Sequence, residues 1–437
     1  MSSHDFISCP VESIQGDIRV PGDKSISHRA IMFGAIAKGT TTVSGFLDGS
    51  DCIATLRAFQ SMGVHIEGPV SQRVIIHGVG KYGLEKPEGI IDCGNSGTSM
   101  RLLAGILAAQ SFDSELTGDA SLLKRPMDRI SRPLHQMGAN MITKNDKPPL
   151  KIYGGQSLQG ITYDMPEASA QVKSCLLLAG LYADGETRII EHGITRDHTE
   201  RMLTAFSYPL HKAENTLVIN ALSECQGTDI LIPGDLSSAA FFIVAATVVK
   251  GSELFIRNVG INPTRTGILD ILKEMGANIK ITNKRLWGEE LVADLLIKHA
   301  PLEGIDIPAS MVPLAIDEFP AIFIAASCAK GRTTLHGAKE LRHKESDRIK
   351  TMVDGLQTVG IEANALEDGI VIHGGELQGG VVNSRHDHRI AMAFAIAGAV
   401  AKAPITIMDC ANVSTSFPRF VETANAVQLA IKEFQDA

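Results

Sequence analysis

Apolar runs of about three helical turns, each opened by polar residues, recur six times along the chain. They begin KSISHRAIMFGAIAKGTTTVSGF at Lys24, SGTSMRLLAGILAAQ at Ser96, SAQVKSCLLLAGLYADGETRIIEHG at Ser169, SSAAFFIVAATVVKGSELFIRNVG at Ser237, DEFPAIFIAASCAKGRTTLHGAKEL at Asp317 and DHRIAMAFAIAGAVAKAPITIMDC at Asp387. A helix that is apolar on every side is a buried one. The Gly or Pro break and β-branched residues that close each run predict a strand. The starts lie about 70 residues apart, so the segments read as copies of one unit. A second, amphipathic stretch repeats between them: DCIATLRAFQSMGVHIEG from Asp51, RISRPLHQMGANMIT from Arg129, GILDILKEMGANIKI from Gly267 and RIKTMVDGLQTVGIEA from Arg348. In each, apolar positions keep helical spacing, a glycine ends the helix and an alternating strand follows. The unit is therefore helix, strand, helix, strand, with further strands between.

Two near-identical turns group the copies. RVPGDKS, from Arg19 to Ser25, and LIPGDLSS, from Leu231 to Ser238, each end an apolar strand in Pro-Gly-Asp, residues that fix a sharp turn. Three units lie between the two turns and three follow the second. The pattern predicts an α/β chain of two domains with three pseudo-repeats each: residues 21–234, and residues 1–20 together with 235–437, the first twenty contributing one strand. A chain of 437 residues is long enough for two cores.

Composition narrows the class. With 44% hydrophobic and 21% charged residues, the chain is neither disordered nor a membrane protein, and its longest apolar runs, such as AAFFIVAATVV from Ala239, are too short to span a bilayer. The opening MSSHDFISCPVESI has no basic stretch followed by an apolar one, so the expected location is cytoplasmic. Seven cysteines, an odd number without a Cys-x-x-Cys pair, read as reduced thiols rather than disulfides or zinc ligands. A net charge of -8 disfavours nucleic acid and anionic membranes as partners. Against that acidic background Lys24, Arg29, Arg101, Lys124, Arg125, Lys173, Arg196, Lys344, Arg348 and Arg389 gather at the polar starts of the repeats. Helix N-termini converging with such cations would suit small substrates bearing several negative charges.

PGDKSISHRA at Pro21, GNSGTSMRLLAG at Gly94, LKRPM at Leu123, SAQVKSCLLLAGL at Ser169, TRDHTERM at Thr195, IDEFP at Ile316, LRHKESDRI at Leu341 and DHRIAMA at Asp387 together resemble the signatures of the 3-phosphoshikimate 1-carboxyvinyltransferase, or EPSP synthase, family. The set runs in order over almost the whole chain. The resemblance implies a fold of two inverse α/β prisms with the active site in a cleft between them, closing when substrates bind. It also implies a reaction without metal or organic cofactor, in which the 5-hydroxyl of 3-phosphoshikimate adds to C2 of phosphoenolpyruvate and phosphate then leaves. The small molecules are the expected partners, and the chain reads as a monomer.

Both substrates carry a phosphate and a carboxylate, groups that guanidinium forks bind at two points. By the family pattern, Lys24 resembles a cation shared by both substrates. Ser25, Arg29, Ser169, Gln171 and Arg196 resemble 3-phosphoshikimate contacts; Gly97, Arg125, Arg348 and Arg389 resemble phosphoenolpyruvate contacts. Asp317 resembles the proton acceptor beside the 5-hydroxyl and a further shikimate contact. Glu345 resembles the acid that protonates the methylene carbon, and Lys344 resembles a group that assists proton transfer and touches the shikimate. Lys124 and Lys173 read as solvated surface charges. His28, His343, His386 and His388 lie within the motifs but lack metal-ligand spacing, and read as structural.

Where many members have a Lys before a Phe-Pro pair, VSTSFPRF places Ser416. Together with Ser169 and IDEFP this looks like the class II branch. The sister UDP-N-acetylglucosamine enolpyruvyl transferases are marked by a Cys before the Arg-Pro pair, and GDASLLKRPM has none. A non-catalytic anion-binding prism would not call for Asp317 and Glu345 beside the cations. In this family glyphosate competes with phosphoenolpyruvate, and Gly97 resembles the residue facing it.

Overall fold

In five of the six apolar runs a polar residue at or just before the start is a helix cap. In the computed structural model, which describes residues 4–435, the helix Lys24–Ile36 is capped by Asp23, Gly97–Leu107 by Ser96, Ala170–Gly180 by Ser169, Leu236–Val248 by Asp235 and His388–Ala397 by Asp387. Each of these side chains accepts a backbone N–H that the first turn leaves without a carbonyl partner. The remaining helix, Phe319–Cys328, has no side-chain cap and carries Pro320 in its first turn instead, where the missing N–H costs nothing. Every residue of Leu236–Val248 except Val248 is buried, as expected for a helix apolar all round.

The amphipathic repeats form Ser50–Ser61, Asp128–Gln136, Gly267–Glu274 and Arg348–Thr358. Two further helices, His198–Ala205 and Phe420–Ala426, occupy the same place in the remaining copies.

Six small sheets repeat one topology. In the first, Asp229–Leu231 runs parallel to Lys38–Ser44, which pairs antiparallel with Arg73–Val79, which pairs antiparallel with His65–Val70. The same parallel, antiparallel, antiparallel order recurs in the sheet of Ile91–Asp92, Ser114–Thr117, Lys147–Tyr153 and Asn140–Lys144. The sheet built on Arg332–Leu335 has three strands; the fourth position is marked only by single parallel bridges from Glu303 and Asp306. The expectation of one strand from the first twenty residues needs correcting, since His4–Cys9 and Gln15–Ile18 are two strands in different sheets. Residues 1–3 of that stretch lie outside the described residues.

The chain divides into two compact units: Gly22–Ile232 with Trp287–Glu289, and the residues up to Pro21 with Pro233–Leu286 and Glu290 onward. Each contains three of the sheets and its own hydrophobic core, so each is an inverse α/β prism of three pseudo-repeats. In the second unit the helices Leu236–Val248, Phe319–Cys328 and His388–Ala397 pack against one another in all three pairs. The first Pro-Gly-Asp turn requires glycine at Gly22, because a Cβ there would sit 1.8 Å from the carbonyl oxygen of Gly45. Among the described residues no helix is long and apolar enough to cross a membrane, and all seven cysteines are free thiols.

Candidate active site

In the unit that begins at Gly22, capping brings the first turns of Lys24–Ile36, Gly97–Leu107 and Ala170–Gly180 into register with basic side chains. Lys24 Nζ lies 2.5 Å from Asp51 Oδ2, and Asp51 stands in the first turn of Ser50–Ser61, where the helix dipole favours an anion. Arg29 is buried and fully engaged. Its Nε donates to Thr199 Oγ1 at 2.7 Å, Nη2 to Ser174 Oγ at 2.8 Å and Nη1 to the Ser25 carbonyl at 3.0 Å. Arg101 Nη1 donates to Gln171 Oε1 at 2.5 Å, and Gln171 Nε2 donates to Thr98 Oγ1 at 3.1 Å. Arg125 Nη2 donates to Asn95 Oδ1 at 3.1 Å, and Asn95 is held in turn by Asp119 at 2.7 Å.

Gly97 is the first residue of its helix. A Cβ there would approach Arg101 Nη1 to 3.0 Å and Arg125 Nη1 to 3.2 Å, so its missing side chain is what lets two guanidinium groups lie over a helix N-terminus. Ser169 spends its hydroxyl as the cap, accepting from Val172 N at 3.4 Å. Arg196 is half-buried in the loop before His198–Ala205.

Beneath Lys24 runs a chain of buried polar groups. His28 Nδ1 and Thr55 Oγ1 are 2.8 Å apart, Thr55 Oγ1 and Ser99 Oγ 2.6 Å, and Ser99 Oγ donates to Ser96 Oγ at 2.8 Å. Burial, reinforced by the charges of Lys24 and Arg29, holds the His28 pKa well below its ordinary value. The ring is neutral at pH 7, so the motif histidine is part of the scaffold.

In the other unit, one carboxylate organises the cluster. Asp387 is completely buried and caps His388–Ala397 by accepting from Arg389 N at 3.0 Å. It also accepts from Arg348 Nε at 2.8 Å, from Arg348 Nη2 at 3.3 Å and from Ser346 Oγ at 3.0 Å. Burial alone would raise its pKa, but the Arg348 guanidinium outweighs that and holds it below the usual carboxylate value. Arg348, 1% exposed, is likewise opposed by burial and pushed upward by Asp387 and then Glu345, so the pair is ionised together. From this anchor Arg348 reaches Glu345 Oε2 at 2.6 Å and Asp317 Oδ1 at 3.5 Å. Lys344 Nζ lies 3.5 Å from Asp317 Oδ1 and 2.9 Å from Glu340 Oε1. Asp317, Lys344, Glu345 and Arg348 thus form one constellation, with Arg389 joined to it through its backbone.

Three features depart from the sequence expectation. Lys173 is no surface charge: it is 1% exposed, its Nζ 2.6 Å from Glu200 Oε1 and 3.1 Å from Glu191 Oε1. Burial of its apolar stem in the core helix Ala170–Gly180 carries the ammonium inside, where only paired carboxylates make it tolerable. Lys24, Lys344 and Arg348 are not bare cations waiting for an anion, since each already has a carboxylate neighbour. Asp51 and Asp387, to which the sequence pattern assigns no role, prove central, and Gln171, expected as a substrate contact, is held by Arg101. The available signal was position: Asp387 opens the sixth copy, and Asp51 opens an amphipathic one.

Residues 9–424 match the model of the EPSP synthase (3-phosphoshikimate 1-carboxyvinyltransferase) family. The chain is 69% identical over 429 residues to a 3-phosphoshikimate 1-carboxyvinyltransferase of Legionella pneumophila strain Corby, covering 98% of this chain and 99% of that one. A namesake from Methylococcus capsulatus is 58% identical over 428 residues, with 98% of each chain covered. A solved EPSP synthase structure from Acinetobacter baumannii superposes with a TM-score of 0.89 at 54% identity, covering 99% of this chain and all of that one.

Proposed function

The chain belongs to the EPSP synthase family and transfers the enolpyruvyl group of phosphoenolpyruvate to the 5-hydroxyl of 3-phosphoshikimate, releasing phosphate on the route to aromatic amino acids; from that premise we propose how its residues divide the work. The unit beginning at Gly22 supplies substrate anchors. Lys24, Ser25, Arg29, Ser169, Gln171 and Arg196 hold 3-phosphoshikimate. Lys24, Gly97, Arg125, Arg348 and Arg389 hold phosphoenolpyruvate. The two guanidinium groups of Arg101 and Arg125 beside Gly97 support this, because they and the N–H groups of a first helical turn favour the same anion.

Asp317, Lys344 and Glu345 carry the proton chemistry. The 5-hydroxyl oxygen forms a bond to C2 of phosphoenolpyruvate as its proton passes to Asp317, while Glu345 delivers a proton to C3. In the resulting tetrahedral adduct C3 gives a proton back, the C2–C3 double bond reforms and phosphate leaves with the bonding pair. Lys344, 3.5 Å from Asp317 Oδ1, stabilises the charge that passes through this carboxylate. Arg348 now binds Glu345 at 2.6 Å; a substrate phosphate or carboxylate arriving at that guanidinium competes for it and frees Glu345 to act.

The convergence of Asp317, Lys344, Glu345 and Arg348 on one another is the observation that carries this reading. Asp317→Asn keeps the shape and removes the acceptor, so turnover falls about 100-fold or more with 3-phosphoshikimate affinity little changed. Parallel losses in turnover and affinity would make Asp317 a binding residue instead. The same reading places the enzyme in the cytoplasm as a monomer of the class II branch, working without cofactor.

A further inference from the structure

Among residues given no role above, two histidines and a glutamate meet on the outer face of the sheet of Lys38–Ser44, Arg73–Val79 and His65–Val70. His65 and His77 are direct partners across the antiparallel pair, and Glu67 follows two residues after His65. The intervening partners Ile66 and Ile76 are buried, so strand alternation sends all three polar side chains outward. The imidazole centroids are 5.0 Å apart with the ring planes 30° from parallel. Both Nε2 atoms address the same carboxylate oxygen, His77 at 2.8 Å and His65 at 3.8 Å from Glu67 Oε1. The three candidate donor atoms lie within 4.8 Å of one another.

We propose that His65, Glu67 and His77 form a surface site for a divalent transition-metal ion of the zinc or nickel type. Two imidazole nitrogens and one carboxylate oxygen are a donor set these ions accept. Ligands about 2.0–2.2 Å from a shared ion lie about 3 Å from each other, so His77 and Glu67 are already at ligand spacing and only the exposed His65 ring has to swing inward. The strand pairing holds both histidine backbones in register, which limits the entropy lost on binding. Arg73, at the start of the same strand as His77, acts on Glu67 from nearby and is the charge that opposes the cation. Solvent completes the coordination, the side chains being 73%, 51% and 43% exposed for His65, Glu67 and His77.

Calorimetric titration of the full chain with Ni²⁺ at about pH 7.5, where metal ions compete best with protons for their ligands, tests the site. One ion is expected to bind the wild type. The His65→Ala/His77→Ala double variant should weaken binding about tenfold or more, since it removes both imidazole donors. Glu67→Gln, which leaves both rings in place, should weaken it less. Ni²⁺ should raise the melting temperature of the wild type and not that of the double variant, while phosphate release from the two substrates stays the same in both. Equal Ni²⁺ affinity in wild type and double variant would place the ion elsewhere in the chain and overturn the proposal. Absence of any binding would leave the trio a cross-strand hydrogen bond and overturn it too.

Discussion

At Gly97 the missing methyl is worth more than backbone freedom. The residue opens an ordinary helix, yet a Cβ would press on Arg101 Nη1 at 3.0 Å and Arg125 Nη1 at 3.2 Å. Guanidinium ends are flexible enough to yield, so Gly97→Ala should fold normally, raise the Michaelis constant for phosphoenolpyruvate a few-fold and alter turnover less, as expected when ground-state and transition-state binding are lost together. The inhibition constant of glyphosate should rise further than that Michaelis constant, which steady-state competition measures. His28 yields a prediction in pH. Its folded pKa lies well below the unfolded value because of burial and then Lys24 and Arg29. The unfolded chain therefore takes up a proton that the folded one refuses. The stability this secures is whole above about pH 6.5 and drains away as the pH falls below it, at up to about 1.4 kcal/mol per pH unit for one such group. Denaturant melts between about pH 7 and pH 5 should show a smaller slope for His28→Gln than for the wild type; equal slopes would mean that His28 titrates normally.

Among elements, the N-cap is where fold and chemistry share an atom. Asp387 closes the first turn of His388–Ala397 and at the same time grips Arg348 from the adjacent amphipathic helix. Asp387→Asn retains an oxygen for the Arg389 N–H but removes the counter-charge from a guanidinium that is 1% exposed. Breaking a buried pair in this way costs about 3–5 kcal/mol, so the variant should melt at markedly lower denaturant, and at permissive temperature turnover should fall because Arg348 no longer holds its place beside Glu345 and Asp317. Unchanged stability would show that solvent or a neighbour replaces the carboxylate. The six helix starts were readable because capping residues and apolar runs are local signals, and the two turns at Gly22 and Gly234 were readable because Pro-Gly-Asp constrains the backbone by itself. Lys173 was misread for the complementary reason. Its partners Glu191 and Glu200 come from the following strand end and helix, and spacing along a sequence does not record which carboxylates will meet a buried ammonium. The second N-terminal strand, Gln15–Ile18, escaped notice because it is short and takes its partner, Glu253–Gly260, from far along the chain.

At the scale of the whole molecule, six copies of one helix-and-sheet unit have diverged in what their first turns carry. Copies in the Gly22–Ile232 unit present Lys24, Gly97 and Gln171; those in the other present Asp317 and Arg389. These first turns are carried by two cores that are each self-sufficient in apolar packing. Addition followed by elimination is the chemistry proposed for the chain, and the reaction run in deuterium oxide tests it most directly. With both substrates present, one phosphate should appear for each enol ether formed, and the vinyl protons of the product should carry deuterium, because C3 gains a proton from an exchangeable carboxyl and then loses one of three from a methyl group. Glu345→Gln should suppress deuterium entry and turnover together. Phosphate released without enol ether, or an enol ether that forms at full rate with no deuterium at C3, would contradict the account.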